Sequence, residues 1–270
     1  MAIVGRWREP VGRAARSLGS GRREFTIAIG AYGLYSLVRG VFGGSLEEGR
    51  ANAEDLIALE KQLGIFVEHD IQRFFVDNHL AMPFWNAFYP VSQVVVLPLT
   101  LYLVYRYRRE GYPLIRNLAI LAWCGGLVWY SLQPMAPPRL AGVAMDTVSE
   151  QTLFDLEHPF IQAFYNPVAA MPSLHVGMAP VVAVALWKLG GSRWMRTVGF
   201  AYPFLVATSI VVTGNHFVLD IAGGLAVVAP AALIARLATG ATPSPAVPRV
   251  SRVRTRLGAA VRRTRSSPEG

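Results

Sequence analysis

The chain has 270 residues, of which 53% are hydrophobic and only 16% charged, with a mean hydropathy of +0.35. An average soluble domain carries roughly 25% charged residues, so the composition excludes a disordered chain and argues against an ordinary soluble enzyme. A net charge of +9 invites a nucleic-acid reading until its distribution is considered, and the single Cys124 excludes an intrachain disulfide or a cysteine metal cluster.

In chain order, residues 1–24 form a basic segment with Arg6, Arg8, Arg13, Arg16, Arg22 and Arg23. The apolar run that follows lacks the short core and small-residue cleavage site of a secretory signal, so it is read as a retained helix. Six runs, at about 25–43, 84–105, 114–133, 174–190, 196–213 and 217–236, approach the ~20 residues that cross a bilayer core. Gly30, Gly33, Pro90, Pro98, Gly223, Gly224 and Pro230 fall inside them and are tolerated where neighbouring helices satisfy the backbone. Between the first two runs, Leu56, Leu59, Leu63, Phe66, Ile71, Phe74 and Phe75 recur at near-helical spacing among acidic residues. This predicts two short amphipathic helices in the outer interface; a lid packed on the helix ends, with no substrate role, fits equally well. Residues 238–270 are rich in Pro, Ser and Arg and read as a disordered basic tail on anionic lipid, with nucleic-acid binding the weaker reading.

The expected architecture is therefore all-α. A six-transmembrane helix bundle over 25–237 carries a long outer loop with short amphipathic helices, flanked by a basic cytoplasmic N-terminus over 1–24 and the tail over 238–270. Charge sets its orientation. Segments 1–24, 106–116, 188–196 and 236–270 hold 21 of the 26 Lys and Arg residues. Segments 44–83 and 134–173 hold Arg50, Lys61, Arg73 and Arg139 against twelve acidic residues. The positive-inside rule then puts both termini in the cytoplasm of a bacterial cell and the acidic loops outside the plasma membrane.

Polar residues are costly in a membrane and point to function. Three clusters fall at the outer helix ends: Pro134-Met-Ala-Pro-Pro-Arg139, Ala170-Met-Pro-Ser-Leu-His175 and Thr213-Gly-Asn-His-Phe-Val-Leu-Asp220. The 41 residues from His175 to His216 allow one helix inward, a basic turn and one helix outward. His216 and Asp220 are four apart and share a helix face, so the carboxylate can orient the imidazole. His175 then stands as a general acid or base, and Arg139 offers a planar fork of donors to phosphate oxygens. His69, His79 and His158 lie in the outer loops and read as solvated. A zinc site from His175, His216 and Asp220 lacks a compact ligand motif and is not favoured.

These clusters resemble the type 2 phosphatidic acid phosphatase superfamily, whose pattern reads KxxxxxxRP, PSGH and SRxxxxxHxxxD. Here Pro172-Ser173-Leu174-His175 has Leu in place of Gly, and His216-Phe-Val-Leu-Asp220 keeps HxxxD. Ser209 stands at the family's Ser and Ile210 at its Arg, while the first motif is absent, with Pro137-Pro138-Arg139 in its region. These departures are similar to the branch of inositol phosphorylceramide and sphingomyelin synthases, as is the string from Asn166 to Gly177. The resemblance spans about 25–236 and implies an enzyme that transfers or hydrolyses a lipid-linked phosphate at the outer face. It implies His216 as nucleophile, Asp220 as its orienting group and His175 as acid and base. It implies that Arg139, helped by the amides near Ser173, holds phosphate oxygens, and it implies no metal or cofactor; Asn215 and Asn166 are further candidate substrate-binding residues, and Arg39 is the candidate replacement for the missing arginines, with snorkelling to the interface fitting equally well. The expected partners are the lipid-linked phosphate and membrane lipids, not nucleic acid. A transporter using His and Asp as a proton relay, or a scaffold to which neither His matters, are the competing readings; the lack of an evident internal repeat weakens the first.

Overall fold

A computed structural model of the chain describes residues 9–41, 44–78, 81–147, 166–189 and 192–240. Helices α1 (Glu9–Val41), α2 (Leu46–Leu63), α3 (Glu68–Asp77) and α4 (Met82–Val91) come first. A π-helical turn, Ser92–Val96, joins α4 to α5 (Leu97–Tyr107), followed by α6 (Tyr112–Leu132). Then come α7 (Leu174–Leu189), α8 (Arg193–Val212) and α9 (Leu219–Thr239). The expected all-α fold is what the structure has. Among the described residues the only pairing of extended backbone is an isolated parallel bridge, Met135 to Ala169.

Four segments are long and apolar enough to cross a membrane: Met82–Tyr107, Arg109–Leu132, Arg193–Val212 and Leu219–Thr239. They match four of the six expected runs to within a few residues. The run at 174–190 is the shorter apolar helix α7. The run at 25–43 is the second half of the 33-residue α1, which reaches back through the basic segment as far as Glu9. Large apolar side chains on these helices face outward, among them Leu132, Phe200, Phe204, Leu233 and Leu237. A membrane bundle presents such a surface to lipid, because burying those side chains inside would gain nothing over hydrocarbon.

The core lies where α6, α7, α8 and α9 meet, around Ala122, Met178, Val206, Ile210 and Ala235. Small residues set the spacing of α7 and α9. A Cβ on Gly177 would lie 2.7 Å from the Gly224 carbonyl oxygen and 2.7 Å from Val228 Cγ2. The two backbones therefore approach as closely as backbones can, the packing that glycine permits between membrane helices. The π turn sits between Pro90 and Pro98. Pro98 has no N–H to give to the preceding turn, and Tyr202 donates its hydroxyl to the Ser92 carbonyl at 3.0 Å. One such turn rotates the residues before it relative to those after it, and Tyr89 lies on the rotated side.

The two expected amphipathic helices are α2 and α3. The buried face of α2, Ala53, Leu56 and Ile57, packs on Met135, Ala136, Ala170 and Phe217, while α3 reaches the same region through Gln72 and Glu68, so the two helices lie over the loops after α6 and between α8 and α9. The segment 133–147 is held there by amide side chains. Asn52 donates to the Pro134 carbonyl at 2.7 Å, Gln72 pairs with the backbone of Met145, and Asn86 donates to the Thr147 carbonyl at 2.9 Å. At the opposite end of the bundle Glu24 of α1 pairs with Arg116 of α6. Most of the expected basic tail, residues 241–270, lies outside the described residues, as do His79 and His158.

Candidate active site

The turn from α8 into α9 is built by its own backbone. Gly214 adopts φ +65°, a left-handed conformation in which a side chain is strained, and a Cβ there would also crowd Ala144 and Gln72. The amides of Asn215 and His216 both donate back to the Ile210 carbonyl, at 3.1 and 3.2 Å. The chain thus turns sharply at the end of α8 and presents His216 just before α9 begins.

His216 and Asp220 are both buried, Asp220 completely. His216 Nδ1 lies 3.1 Å from Asp220 Oδ2, which also accepts the Phe217 amide at 2.9 Å. A carboxylate at Nδ1 fixes the proton on that nitrogen and leaves Nε2 with its lone pair. The hydroxyl of Tyr89 donates toward Nε2 at 3.4 Å. The ring of Tyr89 stacks on His175, centroids 4.4 Å apart and planes 18° apart, and the two histidine rings stand 5.8 Å apart. Tyr89 thus touches both histidines.

Backbone bonds tie the three sequence clusters together. The Ser173 amide donates to the Asp220 carbonyl at 3.1 Å, and the Arg139 amide donates to the Gly214 carbonyl at 3.0 Å. Met135 and Ala170 are joined through the bridge by a bond of 3.1 Å, and the Met135 amide donates to Val168 at 2.7 Å. Arg139 is almost fully buried and uses its fork twice, with Nε donating to Asn215 Oδ1 at 3.0 Å and Nη1 to Asp146 Oδ2 at 3.0 Å. Asn215 is thereby held between Arg139 and Thr213, whose hydroxyl accepts its amide at 2.8 Å. The Ser173 hydroxyl is buried with no hydrogen-bond partner among the described residues.

The other expected residues take different places. Arg39, in the last turn of α1, lies with its guanidinium 5.6 Å from the Tyr130 ring centre, and it is one of the charges acting on His175. Asn166 spends its side chain on backbone, donating to the Arg39 carbonyl at 3.0 Å and accepting the Val168 amide at 2.9 Å. It holds the end of α1 against the approach to α7. Ser209 donates to the Val206 carbonyl within its own helix, and Ile210 is buried in the core. His69 is exposed on α3. Among the described residues no three His, Cys, Asp or Glu side chains converge as metal ligands would.

Sequence reasoning missed three residues near the site. Tyr89 was one aromatic among many in an apolar run. Glu60 and Glu68 stand among the many acidic residues of the first outer loop, with no motif to single them out, yet both are fully buried. Glu60 Oε1 accepts the Leu219 amide at 2.7 Å and Glu68 Oε1 the Val218 amide at 2.7 Å. A signal for Glu60 did exist, since it follows Ala53, Leu56 and Ile57 at helical spacing and so lies on their apolar face.

A buried imidazole whose tautomer is set by a carboxylate, a second, half-buried imidazole across from it and a buried guanidinium beside them can attack a phosphorus centre and exchange protons with the groups that leave and enter. No curated protein and no solved structure gives a significant match to the chain. The model of the PAP2 superfamily matches residues 54–234, a stretch that runs from the middle of α2 through most of α9 and takes in His175, His216, Asp220, Tyr89 and Arg139 but not Arg39. With that match over two thirds of its length, the chain belongs to the PAP2 superfamily of membrane phosphatases and phosphotransferases.

Proposed function

We propose that the protein takes a phosphate group from a lipid through a phosphohistidine on His216 and passes it to an alcohol or to water. The observation that carries this reading is the histidine pair: His216 has Asp220 on Nδ1, and His175 stands across from it at 5.8 Å between ring centres. In the first step Nε2 of His216 forms a bond to phosphorus and the ester P–O bond breaks. The departing oxygen takes a proton from His175. In the second step His175 recovers a proton from the acceptor hydroxyl, whose oxygen bonds to phosphorus as the N–P bond breaks. Asp220 holds the ring and balances the charge it gains. Arg139 donates to phosphate oxygens once substrate replaces Asp146 on its fork, and Arg39 adds positive charge on the His175 side.

The departures at Leu174 and Ile210 favour the branch that transfers head groups, so we assign the acceptor as an alcohol, a lipid or polyol hydroxyl, in a transfer of the inositolphosphotransferase kind, with a polyol as the first acceptor to test. The charge distribution supports placing the site at the outer face of the plasma membrane with both termini in the cytoplasm. Purified protein in mixed micelles with a radiolabelled lipid phosphate, in labelled water with and without a polyol, tests the assignment. A labelled phosphorylated polyol is the expected product. Label released only as inorganic phosphate at every polyol concentration would leave a phosphatase and remove the transferase assignment. No turnover of any lipid phosphate would remove both.

A further inference from the structure

The buried acids Glu60 and Glu68 come from different helices, α2 and α3, and converge on the first two amides of α9 region, those of Val218 and Leu219. Acidic groups at a helix start are favourable, because the amides there have no partner within the helix. Two anions side by side in a buried place are not. Their oxygens differ in a way that resolves this. Glu68 receives an N–H on each oxygen, from Val218 at 2.7 Å and from Val67 at 3.0 Å. Glu60 receives one on Oε1, while its buried Oε2 receives none.

We infer that Glu60 and Glu68 are a carboxyl pair sharing one proton, carried on Glu60 Oε2 and donated to Glu68, and that the pair positions the turn bearing His216 and Asp220. The inference rests on the reading of His216 as nucleophile for its catalytic consequence, though not for the proton. Each acid holds the residue two or three places beyond His216, so the outer helices and the histidine turn move as one body. The charges that act on Glu60 are those of Glu68 on α3 and Asp220 on α9, both negative, while Lys61 and His69 beside them are exposed. Burial, then the Glu68 carboxylate, push the Glu60 carboxyl up to about 8, which agrees with a neutral acid at physiological pH.

The two positions respond differently to amide substitution. In Glu60→Gln the carbonyl accepts the Leu219 amide and the NH2 donates to Glu68, replacing the acid group for group. In Glu68→Gln the NH2 is turned against either the Val218 or the Val67 amide, and donor meets donor. The test compares Glu60→Ala, Glu60→Gln and Glu68→Gln by the rate of label transfer to His216 and by thermal unfolding in detergent as a function of pH. Glu60→Ala should slow labelling at least tenfold, Glu60→Gln should restore most of that loss, and Glu68→Gln should not match it. A folded chain that keeps a proton which the unfolded chain releases loses stability as pH rises from about 4.5 to about 8. That slope should be present in the wild type and weakened in Glu60→Gln. Glu60→Gln as impaired as Glu60→Ala, Glu68→Gln as active as Glu60→Gln, or an unchanged slope would each overturn the inference. If the wild type takes no label at all, the reading of His216 fails, and the pH slope still decides whether the proton is there.

Discussion

At the scale of single residues, the site depends on what each histidine nitrogen and each guanidinium nitrogen meets. Tyr89 supplies a hydroxyl to His216 Nε2 and a ring face to His175, two contacts that mutation can separate. Tyr89→Phe keeps the ring and removes a hydroxyl that occupies the Nε2 lone pair at rest and must leave before Nε2 bonds to phosphorus, so kcat/KM on a lipid phosphate should fall by no more than about twofold. Tyr89→Ala loses the stack as well and should fall further; equal effects of the two variants would show that the ring contact contributes nothing. Arg139→Lys should raise KM markedly, because one ammonium cannot reproduce a planar fork that reaches Asn215 and Asp146 at once. The His216 to Asp220 contact was legible beforehand, since a spacing of four on a helix leaves little choice of partner. The Arg139 to Asn215 contact was not, because it joins residues 76 apart and only a folded turn at Gly214 brings them together. Glu68 is hidden by composition, since an acidic residue in a polar helix is ordinarily solvated; the place of Glu60 on an apolar face signals its burial, but nothing in the local pattern names the amide that either acid will cap.

At the scale of helices, apolar length was the readable quantity. Runs of about twenty residues identify their helices whatever the neighbours, which is why α5, α6, α8 and α9 end close to the expected positions. The π turn at Ser92–Val96 was not readable, since it arises from Pro98 together with the long-range bond from Tyr202 to Ser92. Nor was the extent of α1, whose polar first half shows no apolar period. The packing of α7 on α9 carries the most exposed consequence, because His175 opens one helix and His216 precedes the other. Gly177→Ala puts a carbon 2.7 Å from the Gly224 carbonyl, and backbone cannot move aside as a flexible side chain does. Overpacking of this kind costs about 1–3 kcal/mol. The variant should unfold at lower temperature in detergent and lose kcat, since the same separation of helices parts the two imidazoles. Unchanged stability and turnover would show that α7 and α9 are not held so closely in the membrane.

At the scale of the whole molecule, the charge asymmetry and the site geometry make separate claims that can be checked apart. With Cys124 replaced by Ser, a cysteine at the exposed position Glu54 should react with an impermeant reagent in intact cells, and one at Glu110 only after lysis. Labelling of position 110 in intact cells would reverse the proposed orientation without touching the chemistry. The chemistry has its own arm in metal dependence: a histidine nucleophile predicts activity that survives chelation and is inhibited by vanadate, a mimic of five-coordinate phosphorus. The central claim is that His216 carries the phosphate, and the most direct measurement is acid-labile label on the protein after brief exposure to a radiolabelled lipid phosphate. Label should form on the wild type and be absent from His216→Ala. In His175→Ala, a substrate with an activated leaving group should still label the enzyme, and the label should persist because the acceptor has lost its base. Label on His216→Ala, or no label on any form under conditions of turnover, would contradict the account.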